Sequence, residues 1–221
     1  PATTGMPTEG LEGLRFAGYP IFEPLAMYDL RKTDNPPGLI PWLATEWSVD
    51  PSDHKKWIFK LREGVKFQDG ADFDADAVVW NLERLFNEQA QQFDQAGSPQ
   101  ANTSVFLMDK WEKIDDHTVA IWSKEVASYF PEMLTAVLFV SPTAWEQAGG
   151  NWAAFGEQPI GTGAFKVTKV DSTAIEMEKN PDYWNTERAA KLDKVILYPM
   201  PEATTRLAAL RSDQVDWIEV P

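Results

Sequence analysis

The 221-residue chain contains no cysteine. That excludes a disulfide framework, a thiolate nucleophile and any zinc site built on cysteine. Histidine is almost as scarce: there are two, His54 and His117, and both stand among polar, turn-forming neighbours. A zinc centre or a serine–histidine–aspartate triad requires histidine beside suitable partners on a pocket wall, so both read as surface residues. Positive charge is short as well, with 20 Lys and Arg against 34 Asp and Glu and a formal net charge of −14. Such a surface repels phosphate backbones and anionic headgroups, which argues against nucleic acid and membrane surfaces as partners. No stretch approaches the roughly 18 consecutive apolar residues of a membrane span. The opening Pro1-Ala2-Thr3-Thr4-Gly5 has neither the basic start nor the apolar stretch of a secretory leader. Nucleophile-elbow, H-E-x-x-H, P-loop and C-x-x-C patterns are likewise missing.

Aromatic residues, in contrast, are plentiful, with ten Trp and twelve Phe. Such side chains fill cores, and they also line ligand clefts. Residues 1 to about 20, rich in Gly, Pro and Thr, read as irregular structure leading into Ile21-Phe22-Glu23-Pro24-Leu25. Alternation predicts a strand over 57–62, and Asp74 is placed to cap a helix that carries Val78, Val79, Leu82, Leu85 and Phe86 on one face. The polar stretch 87–103 reads as a long loop. A hairpin follows at 111–122, then a short helix over 130–136, a strand at 138–140 and a helix opened by Ser141-Pro142. A second hairpin is predicted at 165–178, then a strand at 195–198, a helix at 202–210 and a final strand at 215–220. Strands and helices mixed without regular alternation indicate an α+β or mixed α/β fold.

The acidic residues have ordinary explanations. Asp72, Asp74 and Asp76 stand at the start of the predicted helix, where negative charge is favoured, and Asp115-Asp116 fits the hairpin turn. Gly161-Thr162-Gly163 lacks the third glycine of a dinucleotide-binding loop and precedes a strand. It reads as a tight turn needing glycine backbone angles.

Several segments, in order, resemble the family 5 bacterial solute-binding proteins. Pro41-Trp42-Leu43-Ala44-Thr45-Glu46-Trp47 is similar to that family's P-x-L-A-x-S-W. Phe59-Lys60-Leu61-Arg62-Glu63-Gly64-Val65-Lys66-Phe67-Gln68-Asp69-Gly70 is close to F-x-L-R-x-G-V-x-F-x-D-G. Gly161-Thr162-Gly163-Ala164-Phe165 stands for G-T-G-P-Y, and Asn180-Pro181-Asp182-Tyr183-Trp184 for N-P-x-Y-W. Thr204-Thr205-Arg206 through Gln214-Val215-Asp216-Trp217 stands for T-x-R-x-x-A-L-x-x-G-x-V-D, with Ser212-Asp213 where a glycine is usual.

The resemblance implies lobe I of a periplasmic-binding-protein-like type II clamp, mixed α/β (α+β), truncated before lobe II, in a chain without its signal peptide. It implies a lobe core of 1–23 and 159–221 with an inserted subdomain of 24–158, and a hinge at Val220 and Pro221. It further implies a monomeric, non-enzymatic protein of the periplasm or another extracytoplasmic space. Such a protein captures a peptide or other small solute for an ABC permease, without a cofactor or metal. Glu9, Leu11, Arg15 and Phe93 are the expected ligand contacts. Two other readings stay open. One is a carbohydrate-active hydrolase, resting on tryptophan and acid content; the other is a cell-surface protein-interaction module, which would show a broad apolar patch.

Overall fold

The computed structural model describes residues 13–31 and 36–219. The alternating segment lies in β4 (Asp53–Leu61) of an antiparallel sheet ordered β3-β4-β6-β5, with β3 at Ala44–Asp50, β5 at Met108–Asp115 and β6 at Thr118–Ser123. Successive strand side chains point to opposite faces. Phe59 therefore faces Val119, and Trp57 faces Ile121, on one side of the sheet. Helix α2 (Ala75–Phe86) brings Val78, Leu82 and Leu85 into the same buried cluster. Every residue of β6 is buried. On the sheet's other side, Trp122 lies 4.8 and 4.6 Å from the ammonium groups of Lys56 and Lys110, whose stems extend over the ring.

The start of α2 is set by Asp74, in extended conformation, whose Oδ1 accepts the N–H of Ala77 at 2.9 Å. That bond satisfies one of the helix's orphan donors. Asp74→Ala is expected to cost about 1 kcal/mol. It should appear as a lower denaturation midpoint at unchanged slope, and Asp74→Asn should recover most of the loss. An unshifted midpoint for the alanine variant would remove the cap from the account.

A second sheet, ordered β7-β8-β9, consists of β7 (Phe165–Val170), β8 (Ile175–Lys179) and β9 (Lys194–Leu197). Ile175 and Met177 of β8 pack in a second cluster with Ile21, Phe22, Trp145 and Phe155. Trp145 and Phe155 come from α5 (Pro142–Gln147) and α6 (Trp152–Glu157). A two-stranded ribbon, β1 (Ala26–Tyr28) and β2 (Leu39–Pro41), runs beside the first cluster. Helix α7 (Ala203–Arg211) follows the second sheet and buries only Ala209.

Several expectations are corrected. Residues 13–21 are helical rather than irregular: a π-helical turn at Leu14–Gly18 runs into α1 (Tyr19–Ile21). The end of the supposed loop 87–103 is α3 (Ser98–Ser104), polar but opened by Pro99 in its first turn, where proline fits. Residues 138–140 form no strand, only a single bridge from Phe139 to Glu23. The Asn81 side chain takes the place of a neighbouring strand, donating to the Val140 carbonyl and accepting the Val140 N–H. Described residues 215–219 are not a strand either, and Arg206 Nε donates to the Glu219 carbonyl at 3.1 Å. Short helix α4 (Phe130–Met133) continues as a 3-10 turn at Leu134–Ala136, as the spacing predicts.

Candidate functional site

The lone acid of Ile21-Phe22-Glu23-Pro24-Leu25 lies in the interior, with 2% of its surface exposed. Four donors converge on its carboxylate. Oε1 accepts Trp42 Nε1 at 2.6 Å and the Tyr183 hydroxyl at 2.5 Å. Oε2 accepts the Thr162 hydroxyl and Trp184 Nε1, both at 2.7 Å. These donors belong to the P-W-L-A, G-T-G and N-P-D-Y-W segments, so three family-like motifs meet on one buried carboxylate. Burial pushes the Glu23 carboxyl above its ordinary value, and the four hydrogen bonds pull it back down. The same burial, with the Glu23 charge beside it, pushes the Tyr183 hydroxyl up.

The fourth motif joins the same clasp. Gln68 receives Gly161 and Gly163 into its reach: its N–H donates to the Gly161 carbonyl, and its Nε2 donates to the carbonyls of Gly163 and Phe165 at 3.1 and 2.8 Å. Asp69 accepts the hydroxyl of Ser141, the cap of α5, at 2.5 Å. The G-T-G turn needs glycine for close approach rather than for backbone angle. Neither Gly161 nor Gly163 has positive φ. A Cβ at Gly161 would lie 2.1 Å from the Ile21 carbonyl oxygen, and one at Gly163 would lie 2.4 Å from that of Pro20.

Outside the clasp lies a groove of ≈ 630 Å³ between the β2–β4 region and residues 184–188. Its guanidinium groups stack on the clasp's indoles, Arg62 at 4.8 Å from Trp184 and Arg188 at 5.3 Å from Trp42. The indoles touch edge to face at 5.9 Å. Each indole thus donates its N–H to Glu23 and its ring lies against a guanidinium. Arg31 at the rim is engaged by Asp29 through 2.6 and 2.9 Å hydrogen bonds, which hold that carboxyl low, at about 2.

Of the expected ligand contacts, Arg15 is exposed on the first helical turn and pairs with Glu219 at 3.5 Å. Phe93 is half-buried in the connection between α2 and α3. No hydrogen bond, ion pair or ring contact joins these two among the described residues. Glu9, Leu11, Val220 and Pro221 lie outside the described residues. An aromatic shelf is formed by Trp80, Trp145 and Trp152, with ring centres 5.5 to 6.2 Å apart. Gln92 ties the connection to this shelf, donating to the Trp80 carbonyl and accepting Trp152 Nε1 at 3.1 Å.

The other acids have structural work. Asp72 pairs with Lys66, while Asp76 and Asp116 share Lys113. His54 is exposed and His117 half-buried. Among the described residues no group of three or more His, Cys, Asp or Glu is placed to hold a metal ion, and no helix is long and apolar enough to cross a membrane. Glu23 was not among the expected site residues. Its one signal in the sequence is an acid inside an otherwise apolar run.

Residues 38–221 match the family model described as bacterial extracellular solute-binding proteins, family 5 Middle. The glutathione-binding protein GsiB of Shigella flexneri is 33% identical over 178 residues, covering 79% of this chain and 32% of that protein. Di/tripeptide-binding protein 2 of Pseudomonas aeruginosa is 30% identical over 217 residues, covering 90% of this chain and 39% of that one. The chain thus spans about a third of the length of these relatives. Among solved structures, the periplasmic binding protein DppA of Helicobacter pylori in complex with the peptide STSA gives a TM-score of 0.79 at 25% identity, covering 96% of this chain and 42% of DppA. A Pseudoalteromonas dipeptide-binding protein in complex with Met-Leu gives 0.75 at 25% identity, covering 90% of this chain and 41% of that one.

Proposed function

Because the chain belongs to the bacterial extracellular solute-binding proteins of family 5, we propose that it is lobe I of a two-lobed protein that captures a peptide or other small solute and delivers it to an ABC permease. The observation that carries this reading is the match of residues 38–221 to the family, in a fold shared with a peptide-bound relative. The lobe core is residues 1–23 and 159–221, and 24–158 are an insert. The second cluster draws Leu138, Val140, Trp145 and Phe155 from the end of that insert, so the insert is welded to the core by α5 and α6. Glu9, Leu11, Arg15 and Phe93 are the proposed solute contacts, and Val220 and Pro221 the proposed hinge. The protein works as a monomer in an extracytoplasmic space.

No bond is broken in this role. Glu23, 2% exposed, has its carboxylate engaged by four donors, so it serves the fold rather than acid–base chemistry. Closing two lobes on a solute excludes water and strengthens the contacts inside. A single lobe supplies one wall, which forfeits about half the apolar burial at roughly 25 cal/mol per Å². The 221-residue chain is therefore expected to bind a Met-Leu dipeptide or glutathione at least about a hundredfold more weakly than a longer protein carrying both lobes. Calorimetry on both proteins reads this directly. Equal affinity would place the whole site on this lobe, and binding of neither solute by the longer protein would refute the peptide reading.

A further inference from the structure

Arg84 lies on α2 with none of its surface exposed. Its Nη1 donates to Asn81 Oδ1 at 3.2 Å, and its guanidinium lies over Trp152, 5.0 Å from the ring centre. Nε and Nη2, the edge that usually grips a carboxylate, are shielded from solvent and have no hydrogen-bond partner among the described residues. Asp94 is 1% exposed. Its Oδ1 accepts the N–H of Gly97 at 3.0 Å, while Oδ2 is shielded and unpartnered among the described residues. The two residues are joined through the backbone, because the Asp94 N–H donates to the Arg84 carbonyl at 2.8 Å. Two unpaired donors and one unpaired acceptor of opposite charge thus stand on hydrogen-bonded neighbours, deep in the protein.

A buried charge without a partner costs several kcal/mol, and buried polar atoms nearly always find one, ordered water included. A water molecule with two to four polar contacts meets that need where the direct ion pair is out of reach. We propose that Arg84 and Asp94 are joined through a buried ordered water, and that this hydrated ion pair holds the 87–97 loop, with Phe93 on it, against α2. Burial pulls the Arg84 guanidinium down to about 10, and the Asp94 charge works against that pull. The loop is then latched twice, inside by Arg84 and Asp94 and outside by Gln92 on the Trp80–Trp152 shelf. Arg84 is a positioning residue in this scheme. Its value to solute capture rests on the reading of Phe93 as a solute contact; its hold on the loop does not.

Asp94→Asn keeps an oxygen for the Gly97 N–H and removes the charge. In the 221-residue chain, amide hydrogen exchange within 87–97 is expected to rise about tenfold or more, while β4 and β6 exchange as before. A crystal structure of the unsubstituted chain is expected to show a water within hydrogen-bond distance of both the guanidinium and Asp94 Oδ2. Direct contact between the two side chains, or an empty space between them, overturns the proposal. So does exchange that is unchanged, or raised uniformly over the chain. Should Asp94→Asn not fold, the charge-free pair Arg84→Met with Asp94→Asn replaces it, with the same loop-confined rise expected and the same overturning results. Phe93→Ala, titrated with Met-Leu in the two-lobed protein, separates the two readings: unaltered binding removes Phe93 from the solute site and leaves the loop device standing.

Discussion

Glu23→Ala is expected to destabilise the chain by about 4 kcal/mol or more, among the largest effects a single substitution produces. The change strands four donors in the interior. The Thr162 and Tyr183 hydroxyls can turn toward other acceptors, but the indole N–H groups of Trp42 and Trp184 cannot, and each unsatisfied buried group costs about 1–3 kcal/mol. Chemical denaturation followed by tryptophan fluorescence measures the loss, and a cost below about 1 kcal/mol would mean that the clasp is not held by its carboxylate. The pH dependence carries a second signature. A carboxyl raised in the folded state contributes its full stability below the ordinary glutamate range and loses it as pH rises through the folded value. Burial raises Glu23 in this way. The unsubstituted chain should therefore lose stability across that rise, and the neutral Glu23→Gln variant should lack this component of the slope.

Gly161→Ala and Gly163→Ala are expected to cost several kcal/mol each, beyond the 1–3 kcal/mol usual for overpacking. The reason is what the added methyl meets. At both positions it meets backbone, the carbonyls of Ile21 and Pro20, rather than a side chain that can swing away. Relief requires moving the residue 20–22 backbone from the 161–163 turn, which breaks the Gly163 N–H bond to Ile21 and withdraws Thr162 from Glu23. Gly38→Ala is the control: nothing lies within 4 Å of its added methyl, and a change within about 0.5 kcal/mol is expected. Thermal unfolding of the three variants decides it. If Gly161→Ala melts with Gly38→Ala, the glycines are kept for some other reason.

Elements whose signal is local were readable from the sequence. β4 and the β5–β6 hairpin declare themselves by alternation and by a polar turn, and α2 by the Asp74 cap ahead of spaced apolar residues. The clasp was not readable in the same way. Its donors lie 19, 139, 160 and 161 residues from Glu23, so no window of neighbours contains the reason for any of them. The family-like motifs marked those residues as belonging together without saying what joined them. The buried face of α2 hid something too. Apolar spacing picks out Val78, Leu82 and Leu85, whereas Asn81 and Arg84 are fully buried on the same helix, one replacing a strand partner for Val140 and the other accepting the Asp94 N–H at its carbonyl. A hydrophobic pattern carries no mark of a polar residue in a buried position. The resemblance did locate the fold, and the expected site residues Arg15 and Phe93 remain proposals on an exposed turn and a half-buried loop.

The long span of the clasp has a consequence for the order in which this chain acquires its shape. When residues up to about 125 have been synthesised, β3 to β6 and α2 can pair with one another, since all their partners lie between Ala44 and Ser123. Glu23 at that moment has met one of its four donors, Trp42. The remaining three wait for Thr162, Tyr183 and Trp184, and closing so large a loop is slow relative to local pairing. A nascent chain therefore carries an ionisable side chain with no settled interior until Tyr183 and Trp184 have been made. The segment around Glu23 stays open to solvent, and to whatever machinery handles unfolded polypeptide, well after the first sheet has formed.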